Sequence, residues 1–300
     1  MAYRCIMVEN KAHLSIRQQQ LVIALETEHL IPLEDISAIL VENRQSTITA
    51  AAMANMAQRG IAVMVCDERH LPCGVLLPYE QHSRRLQVVK RQLNMSLPKR
   101  NRLWQQVVQA KINNQAHCLK LTGHKDMAEK QFSMSRQVQS GDKGYLEGTA
   151  AAQYFGALFG KGFRRGEENG INAALNYGYA ILRACVARTL AVYGLLLCHG
   201  LQHCSELNAM NLADDLMEPF RPLIDLFVIQ NISEDELLTP QNKREIFGLL
   251  GCDILSAGQH HSIPYAIERM VQSLITAIQF NRIIPLTLPV IIPLRRHQYE

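Results

Sequence analysis

One stretch dominates the sequence, His203-Cys-Ser-Glu-Leu-Asn-Ala-Met-Asn-Leu-Ala-Asp-Asp-Leu-Met-Glu-Pro-Phe-Arg-Pro222, because it crowds three acids onto a predicted helix. Those acids are Asp214, Asp215 and Glu218. On a helix, residues three and four positions apart lie on one face, so both aspartates share a face with Glu218. Like charges placed in this way repel each other, and a positive partner is therefore expected close by.

A divalent metal ion is one candidate for that partner, and His203 offers a nitrogen ligand from the loop upstream. Oxygen-rich ligation with a single imidazole suits Mn²⁺ or Mg²⁺ better than Zn²⁺. The alternative is structural, because acids in the first turn of a helix complement its dipole. The stretch alone leaves both interpretations open.

The composition is that of an ordinary soluble protein with a large core. The chain has 300 residues, of which 48% are hydrophobic and 19% charged, and this length predicts roughly two domains. No apolar run approaches the ~18 residues of a membrane span, and charge follows the N-terminus too soon for a signal peptide. The eight cysteines contain no Cys-x-x-Cys pair and are expected to be reduced thiols of a cytoplasmic protein.

Charge is distributed unevenly along the chain, although the net charge is only +4. Residues 81–125 contain no acid and ten basic residues, namely Arg84, Arg85, Lys90, Arg91, Lys99, Arg100, Arg102, Lys111, Lys120 and Lys125. Such an acid-free block favours a polyanionic partner such as nucleic acid. The alternative is a solvated helix surface whose acidic partners lie elsewhere in the fold.

The first eighty residues predict a small β-rich domain that ends at Pro78. A turn at residues 9–11 predicts a hairpin between the first two strands, and Gly60 ends a predicted Ala-rich helix over Ser46–Gln58. The predicted strands are Tyr3–Val8, Ala12–Ile16, Gln20–Leu25, Ile36–Glu42, Ile61–Cys66 and Pro72–Leu77.

The rest of the chain predicts helices. Ser96-Leu-Pro98 marks a helix start, and Trp104, Val108, Ile112, Ala116 and Leu119 follow at helical spacing as a core-facing stripe. Further helices are predicted at Ala128–Val138, Gly144–Phe159, Ile171–Cys198, around Ala213, at Gln241–Leu250 and at Tyr265–Gln279. The prolines of Pro285–Pro293 predict an extended tail packed on a neighbouring element.

The predicted fold class is therefore α+β and multidomain. A β-rich domain spans residues 1–80, a basic junction residues 81–95, and an all-α domain residues 96–300.

Two other groups of residues could carry chemistry. Glu147 lies in the first turns of a predicted helix among small residues, where another backbone can approach closely and the acid needs a partner; the alternative is an ordinary helix-start acid. The run Cys198-His199-Gly-Leu-Gln-His203-Cys204 resembles a zinc site only superficially. Structural zinc normally uses two ligand pairs separated by a longer spacer, and a second pair is missing here.

Taken together, these residues resemble the family of CRISPR adaptation integrases, metal-dependent nucleases that insert new spacers into CRISPR arrays. The likeness spans nearly the whole chain, and its form is most similar to members that accompany RNA-guided single-protein (type II) effectors. The motifs that carry it are Gly60–Asp67, Glu147-x-x-x-Ala151-x-x-Tyr154-Phe155, Ile171–Leu182, Gly200-Leu-Gln-His203 and Asp215–Pro222. Gly170 departs from the family, because many relatives have Asp-Pro before the position of Ile171.

The resemblance implies an N-terminal dimerisation domain and a helical catalytic domain. It implies that Glu147, His203 and Glu218 bind Mg²⁺ or Mn²⁺ and are catalytic, with Asp215 as a fourth candidate ligand. His199 is a rival imidazole, but only His203 fits the family's Gly-x-x-His. The implied assembly is a homodimer flanking a dimer of the smaller adaptation protein, with the effector nuclease as a further partner.

The implied reaction is attack by the 3′-hydroxyl of a captured DNA fragment on a phosphodiester of the CRISPR repeat. Arg84, Arg85, Lys90 and Arg91 are predicted to bind double-stranded DNA through its phosphates. Three alternatives remain at this stage. They are a nuclease of branched or repair DNA without integration, a non-catalytic DNA-binding scaffold, and a hydrolase of small phosphorylated substrates.

Overall fold

The computed structural model describes residues 4–79, 82–234, 237–280, 282 and 284–298. Its N-terminal region holds two four-stranded sheets, with strand orders β1-β5-β7-β8 and β4-β3-β2-β6. The strands are β1 Arg4–Val8, β2 His13–Arg17, β3 Gln20–Ala24, β4 Glu28–Pro32, β5 Ile36–Val41, β6 Thr47–Ile48, β7 Ala62–Cys66 and β8 Pro72–Leu76, and helix α1 spans Ala50–Gln58.

The predicted hairpin between the first two strands is wrong. β1 pairs in parallel with β5, whereas β2 pairs with β3 in antiparallel orientation and with β6 in parallel. The Val8 carbonyl accepts hydrogen bonds from the backbone of Glu42 and Asn43, and the Ala12 carbonyl accepts one from Thr47. The turn at residues 9–11 therefore carries the chain from one sheet to the other. Tyr3, the first residue of the predicted strand, lies outside the described residues.

Two details of this region escaped the sequence analysis. The predicted helix over Ser46–Gln58 begins later, at Ala50, because Thr47–Ile48 forms β6 and Thr49 caps the helix through its hydroxyl. Strand β4 was not predicted at all. It is the edge strand of its sheet, so its side chains are mostly exposed and lack an apolar pattern.

The second part of the chain is mainly helical. Its helices are α2 Arg85–Leu93, α3 Leu97–Leu121, α4 Lys125–Gln137, α5 Leu146–Leu158, α6 Gly170–Val192, α7 Asn211–Met217, α8 Arg221–Asn231, α9 Pro240–Gly248 and α10 Ile263–Gln279. The predicted stripe from Trp104 to Leu119 on α3 is confirmed, because all five of its residues are buried. Helix α6 ends at Val192 and not at Cys198, since Gly194 follows with a φ of 77° that breaks the helix.

The prediction that this part is all helical is also wrong. It contains a three-stranded sheet of order β10-β9-β11, formed by β9 Asp253–Ser256, β10 Gln259–Ser262 and β11 Pro289–Val290. The predicted extended tail supplies β11, which pairs with β9. We call residues 286–297, which contain β11, the C-terminal strap.

The apolar core joins the first sheet to the helices. Ala38 and Leu40 of β5 and Ala62 and Met64 of β7 pack in one cluster with the helical core. Alternate residues of the same strands face a second cluster between the two sheets. The predicted boundary at residues 80 and 81 lies outside the described residues, and the division into domains stays a prediction. In the described part of the chain, no helix has the length and apolar character needed to cross a membrane.

Candidate metal centre

Two predicted ligands, Glu147 and Glu218, converge on one cation that the sequence analysis did not single out. The Lys111 Nζ atom lies 2.5 Å from Glu147 Oε1 and 2.5 Å from Glu218 Oε2. The side chain of Glu218 is 5% exposed and that of Lys111 9%, whereas that of Glu147 is 34% exposed. Three separate helical segments thus bring two carboxylates to a single ammonium group at the edge of the core.

The electrostatics of this cluster favour the charged forms. Burial lowers the pKa of Lys111, but the charges and hydrogen bonds of Glu218 and Glu147 outweigh it, so the net shift is upward. Burial raises the pKa of Glu218, but Lys111 and Arg221 outweigh it and the net shift is downward. Arg221 Nε lies 3.2 Å from Glu218 Oε1. The carboxylate of Glu218 is therefore kept ionised in a buried position.

Local sequence places both acids. Asp142 caps the start of α5, since its carboxylate accepts hydrogen bonds from the backbone N–H groups of Leu146 and Glu147, each at 3.0 Å. Glu218 directly follows α7, and Pro219 after it allows no continuous ladder of helical hydrogen bonds. A single 3-10 turn, Glu218–Phe220, joins α7 to α8, which starts at Arg221.

His203 lies on a loop that wraps around the buried carboxylate of Asp215. Asp215 Oδ2 accepts hydrogen bonds from the N–H groups of Leu201 (2.5 Å) and Gln202 (3.0 Å). Asp215 Oδ1 accepts one from the His203 N–H (3.2 Å) and lies 2.6 Å from His203 Nδ1. A Cβ atom at Gly200 would lie 2.6 Å from Asp215 Oδ2, so only glycine permits this packing. Asp215 therefore orients the loop and the imidazole.

The three acids of the His203–Pro222 stretch thus face three different partners. Asp214 pairs with Arg183, whose Nε lies 2.7 Å from Asp214 Oδ1, and also accepts a hydrogen bond from Asn208. Asp215 holds the His203 loop, and Glu218 faces Lys111. The repulsion expected from their spacing is relieved by three separate groups.

The imidazole of His203 lies near Glu218 of the Lys111–Glu147–Glu218 cluster, close enough for the Glu218 charge to act on it. Its ring packs edge-on against Trp104 at a centroid distance of 6.2 Å, and its side chain is 47% exposed. The hydrogen bond to Asp215 raises the pKa of His203 against the effect of burial, and the Glu218 charge raises it further. Because Nδ1 faces Asp215, Nε2 is the nitrogen that remains to face a metal ion.

The residues present suit a hard divalent cation. Two carboxylates already share one cation, and a histidine backed by a carboxylate is the usual arrangement of a metal-ligating imidazole. Within the described ranges, no three His, Cys, Asp or Glu side chains are close enough together to hold a metal ion as they stand. A metal site built from the three predicted ligands would require Glu147 and His203, the two partly exposed side chains, to approach Glu218.

A cavity of about 360 Å³ adjoins Lys111 and is lined by Gln115, Arg165, Tyr179, Arg221 and Asp225, among others. The Arg221 guanidinium lies over the Tyr179 ring, 4.7 Å from its centroid. The hydroxyl groups of Tyr179 and Tyr154 both donate hydrogen bonds to the buried Asp225. The wall of this cavity therefore combines two guanidinium groups with one buried acid.

Sequence reasoning missed Lys111 and Arg221 as site residues. Lys111 belongs to the acid-free block, yet it lies three residues after Val108 and seven after Trp104, a spacing that puts it on the buried side of α3. A lysine at a core-facing position is the signal that could have identified it. Arg221 lies three residues after Glu218, a spacing that allows ion pairing on a helical turn.

The four predicted DNA-binding residues lie on or next to α2, a helix that contains none of the predicted metal ligands. Arg84, Arg85 and Lys90 are exposed, and Arg91 is half-buried. No ion pair joins any of the four to an acid within the part of the chain that the structure describes. On the inner side of α2, the buried Gln92 donates hydrogen bonds to the carbonyls of Leu196 and His199, in the segment that leads to His203. The rival imidazole, His199, has a partly exposed side chain on that segment.

Comparison with known proteins gives concordant results. The family model described as CRISPR associated protein Cas1 matches residues 5–245. The CRISPR-associated endonuclease Cas1 of Neisseria meningitidis serogroup C (strain 8013) is 45% identical over 304 residues, covering 100% of both chains.

Solved structures share the fold. A casposase bound to an integration product matches with a TM-score of 0.74 and 20% identity, covering 94% of this chain and 92% of the casposase. A Cas6-RT-Cas1–Cas2 complex matches with a TM-score of 0.68 and 20% identity, covering 92% of this chain and 35% of the matched chain. Given the family match over residues 5–245 and the full-length relative, the chain belongs to the CRISPR-associated Cas1 family.

Proposed function

We propose that this member of the Cas1 family is a metal-dependent DNA endonuclease and integrase that inserts short DNA fragments into a CRISPR array. The observation that carries the assignment is the convergence of Glu147 and Glu218, from different helices, on the Lys111 ammonium. Two carboxylates that share one cation position, beside a histidine backed by a carboxylate, fit the chemistry of a divalent metal site. Family membership supports the same enzyme class.

Glu147, His203 and Glu218 are the proposed ligands of Mg²⁺ or Mn²⁺. When bound, such an ion polarises a scissile phosphate and stabilises the oxygen that leaves. Asp215, ranked as a fourth ligand from the sequence, is assigned a positioning role instead. Its carboxylate oxygens already take hydrogen bonds from three backbone N–H groups and face His203 Nδ1, and the residue is fully buried.

The remaining charged groups of the site suit a phosphodiester. Lys111 and Arg221 place positive charge next to the two carboxylates, where it can compensate the charge that a DNA phosphate brings. The adjoining cavity is lined by Arg165 and Arg221, which would offer two further positive charges to a DNA strand beside the scissile bond. The nucleophile in integration is the 3′-hydroxyl of the captured fragment, and with water in its place the same site is a nuclease.

The proposed partners are double-stranded DNA, a second copy of this chain and the smaller adaptation protein. The resemblance to the family supports the homodimer, and the Cas1–Cas2 composition of one structural relative supports the smaller protein. Two strand attacks at opposite ends of a repeat need two active sites, which a dimeric assembly supplies. We further propose that the protein associates with the RNA-guided effector nuclease of a type II system. We also propose that its N-terminal domain forms the dimer and that its helical domain is catalytic.

Loss of any ligand tests the metal site. We expect Glu147→Ala, His203→Ala and Glu218→Ala each to reduce cleavage more than about 100-fold, beyond the usual cost of losing a residue behind a ligand. Calorimetry with Mn²⁺ should show binding to the wild type that is lost in Glu218→Ala. Glu206→Ala is the matched control, because Glu206 is an exposed acid on the same loop region. Equal Mn²⁺ heats from the wild type and Glu218→Ala would favour the non-catalytic scaffold.

A joining assay separates the integrase from a plain nuclease. The wild type is mixed with short duplex DNA carrying 3′-hydroxyl ends, a plasmid with a CRISPR repeat, the smaller partner protein and Mn²⁺. Covalent joining of the duplex to the plasmid at the repeat is expected. Cleavage without joining, with the partner present, would support the nuclease of branched or repair DNA.

A further inference from the structure

One buried amide connects the proposed metal centre to the C-terminal strap. Asn114 lies one turn after Lys111 on α3 and is fully buried. Its Nδ2 group donates hydrogen bonds to the carbonyl oxygens of Pro219 (2.7 Å) and Pro289 (3.0 Å). Its Oδ1 atom accepts one from the N–H of Ile291 at 3.2 Å. A single side chain thus satisfies three backbone groups from two distant segments.

The two segments have different roles in the fold. Pro219 directly follows Glu218, a proposed ligand, so its carbonyl belongs to the turn that sets the direction of that side chain. Pro289 and Ile291 lie in the C-terminal strap, which is remote from Glu218 in sequence. Both proline residues are buried, so each carbonyl needs a donor from within the protein. The two hydrogens of one amide group supply one donor to each.

The strap is held at its beginning by side chains of two helices. The N–H of Leu286 donates to Gln106 Oε1 at 2.7 Å, two turns before Asn114 on α3. The N–H of Thr287 donates to Ser273 Oγ on α10 at 2.9 Å.

The end of the strap is held by the carboxylate of Asp253 on β9 and by backbone hydrogen bonds to residues 251–253. Arg295 Nε lies 2.5 Å from Asp253 Oδ2, and His297 Nδ1 lies 2.6 Å from Asp253 Oδ1. The Asp253 N–H donates to the Arg295 carbonyl at 2.8 Å. This anchor lies on elements that contain none of the proposed ligands, so it can be loosened without altering a ligand.

We propose that Asn114 is a positioning residue of the metal centre, through which the docked strap holds Glu218 in place. The inference rests on the proposed function, because the ligand role of Glu218 gives the connection its consequence. When the strap is displaced, the Asn114 amide loses two of its three partners. The hydrogen bond to Pro219 is then the one of the three that remains to orient the amide, and the segment after Glu218 gains freedom.

A remote variant tests this connection in the protein without metal. Arg295→Ala combined with His297→Ala removes both ion pairs with Asp253 and so loosens the anchor, while the backbone hydrogen bonds, α3 and the ligands stay as they are. We expect hydrogen–deuterium exchange, followed by mass spectrometry, to become faster in residues 286–291 and also in residues 216–222. Arg244→Ala is the matched control. It removes an ion pair with Glu9 at similar exposure, since the arginine side chains are 47% and 58% exposed at positions 244 and 295. Unchanged exchange in residues 216–222 would overturn the proposal.

Metal affinity provides a second readout. The remote double variant should bind Mn²⁺ about tenfold more weakly than the wild type, the lower end of what removing a residue behind a ligand costs. Arg244→Ala should bind as the wild type does. If the wild type itself binds no Mn²⁺, the proposed function fails, whereas the exchange experiment still decides whether the strap positions the turn. Wild-type Mn²⁺ affinity in the double variant, with the wild type binding normally, contradicts the positioning role.

A change at Asn114 itself completes the test. Asn114→Asp keeps the shape and the acceptor for Ile291 but removes the two donors, so exchange in residues 216–222 should rise and Mn²⁺ affinity should fall. Gln106→Glu is the matched control, because it introduces a carboxylate on α3 while keeping the acceptor for Leu286. If Asn114→Asp does not fold, the remote double variant still decides. Equal effects of the two variants on residues 216–222 would exclude a specific role for Asn114.

Discussion

Lys111 and the basic residues of α2 come from the same acid-free block of the sequence, yet the structure gives them opposite environments. The Lys111 side chain is 9% exposed and lies 2.5 Å from each of two carboxylates. Arg84, directly before α2, and Lys90, on α2, are exposed and have no acid paired to them among the described residues. A single block of basic residues in a sequence can therefore combine a cation that organises a buried site with cations that remain on the surface. The first acts at contact distance, and only the second depends strongly on salt.

The sharpest test of the comparison is to remove one cation from each environment. Lys111→Met leaves Glu147 and Glu218 without their shared partner, and breaking a buried ion pair costs about 3–5 kcal/mol. Lys90→Met, on the exposed face of α2, should change the free energy of unfolding by less than about 0.5 kcal/mol. Urea denaturation at low and high salt measures both. Similar effects of the two substitutions would remove the distinction between the two environments.

The same variant can be examined with metal added. If a divalent ion takes the cation position that Lys111 marks, Mn²⁺ should stabilise Lys111→Met more than it stabilises the wild type. At a Mn²⁺ concentration of 100 times the dissociation constant, linkage predicts about 2.7 kcal/mol of stabilisation. The absence of any such gain would contradict a shared cation position.

For the basic residues on and next to α2, we expect a smaller effect, seen in the affinity for DNA and in its salt dependence. Arg84→Glu combined with Arg91→Glu should weaken duplex DNA binding roughly tenfold or more, which is about 1.4 kcal/mol, whatever the DNA sequence. For every DNA phosphate that the variant no longer neutralises, the slope of log affinity against log salt should become shallower by about 0.9. Lys130→Glu with Arg136→Glu, an equal change of charge on exposed positions of α4, is the control. An unchanged affinity and slope in the α2 variant would show that DNA binds elsewhere.

The smallest effect concerns Asp225, a buried acid that pairs with no lysine among the residues that the structure describes. Burial raises the pKa of Asp225 to about 6, although Tyr179, Tyr154 and the nearby arginines lower it. Since the folded state binds this proton more tightly than the unfolded state, the group adds stability as pH falls below about 6. Between pH 7 and pH 5 the wild type should therefore gain about 1 kcal/mol relative to Asp225→Asn. The pKa of Glu218 is shifted in the opposite direction, downward. If the difference in unfolding free energy between the wild type and Asp225→Asn did not change with pH, the expected contrast between the two acids would be wrong.

Most of the helical core could be predicted from apolar periodicity. In the Trp104–Leu119 stripe, burial follows directly from the spacing, because a long helix that packs on a core buries its apolar face. The sheet containing β9 was missed, since its strands are four residues or shorter and β10 is the polar run Gln259–Ser262. The hairpin at residues 9–11 failed because strand pairing depends on partners distant in sequence, which a local turn does not encode.

The candidate site was predicted in part, and for identifiable reasons. Helical spacing put Asp214, Asp215 and Glu218 together, but it could not show that their side chains face three separate partners. Only the resemblance to the family placed Glu147 and Glu218 in one site. They are far apart in the sequence and meet through the packing of α3, α5 and the turn after α7. Lys111 is one of ten basic residues in the acid-free block, and the block as a whole predicts surface cations. Its place on the buried side of α3 was therefore overlooked.

Gly200 shows that a position without any functional group can matter as much as a ligand. A single methyl group there would overlap the His203 carbonyl oxygen and lie 2.6 Å from Asp215 Oδ2. The loop that carries the imidazole can thus pack only if residue 200 has no side chain. Changing the charge or polarity of a side chain there would not remove the overlap. In a comprehensive substitution scan, Gly200 would resemble a catalytic residue in its intolerance while contributing only empty space.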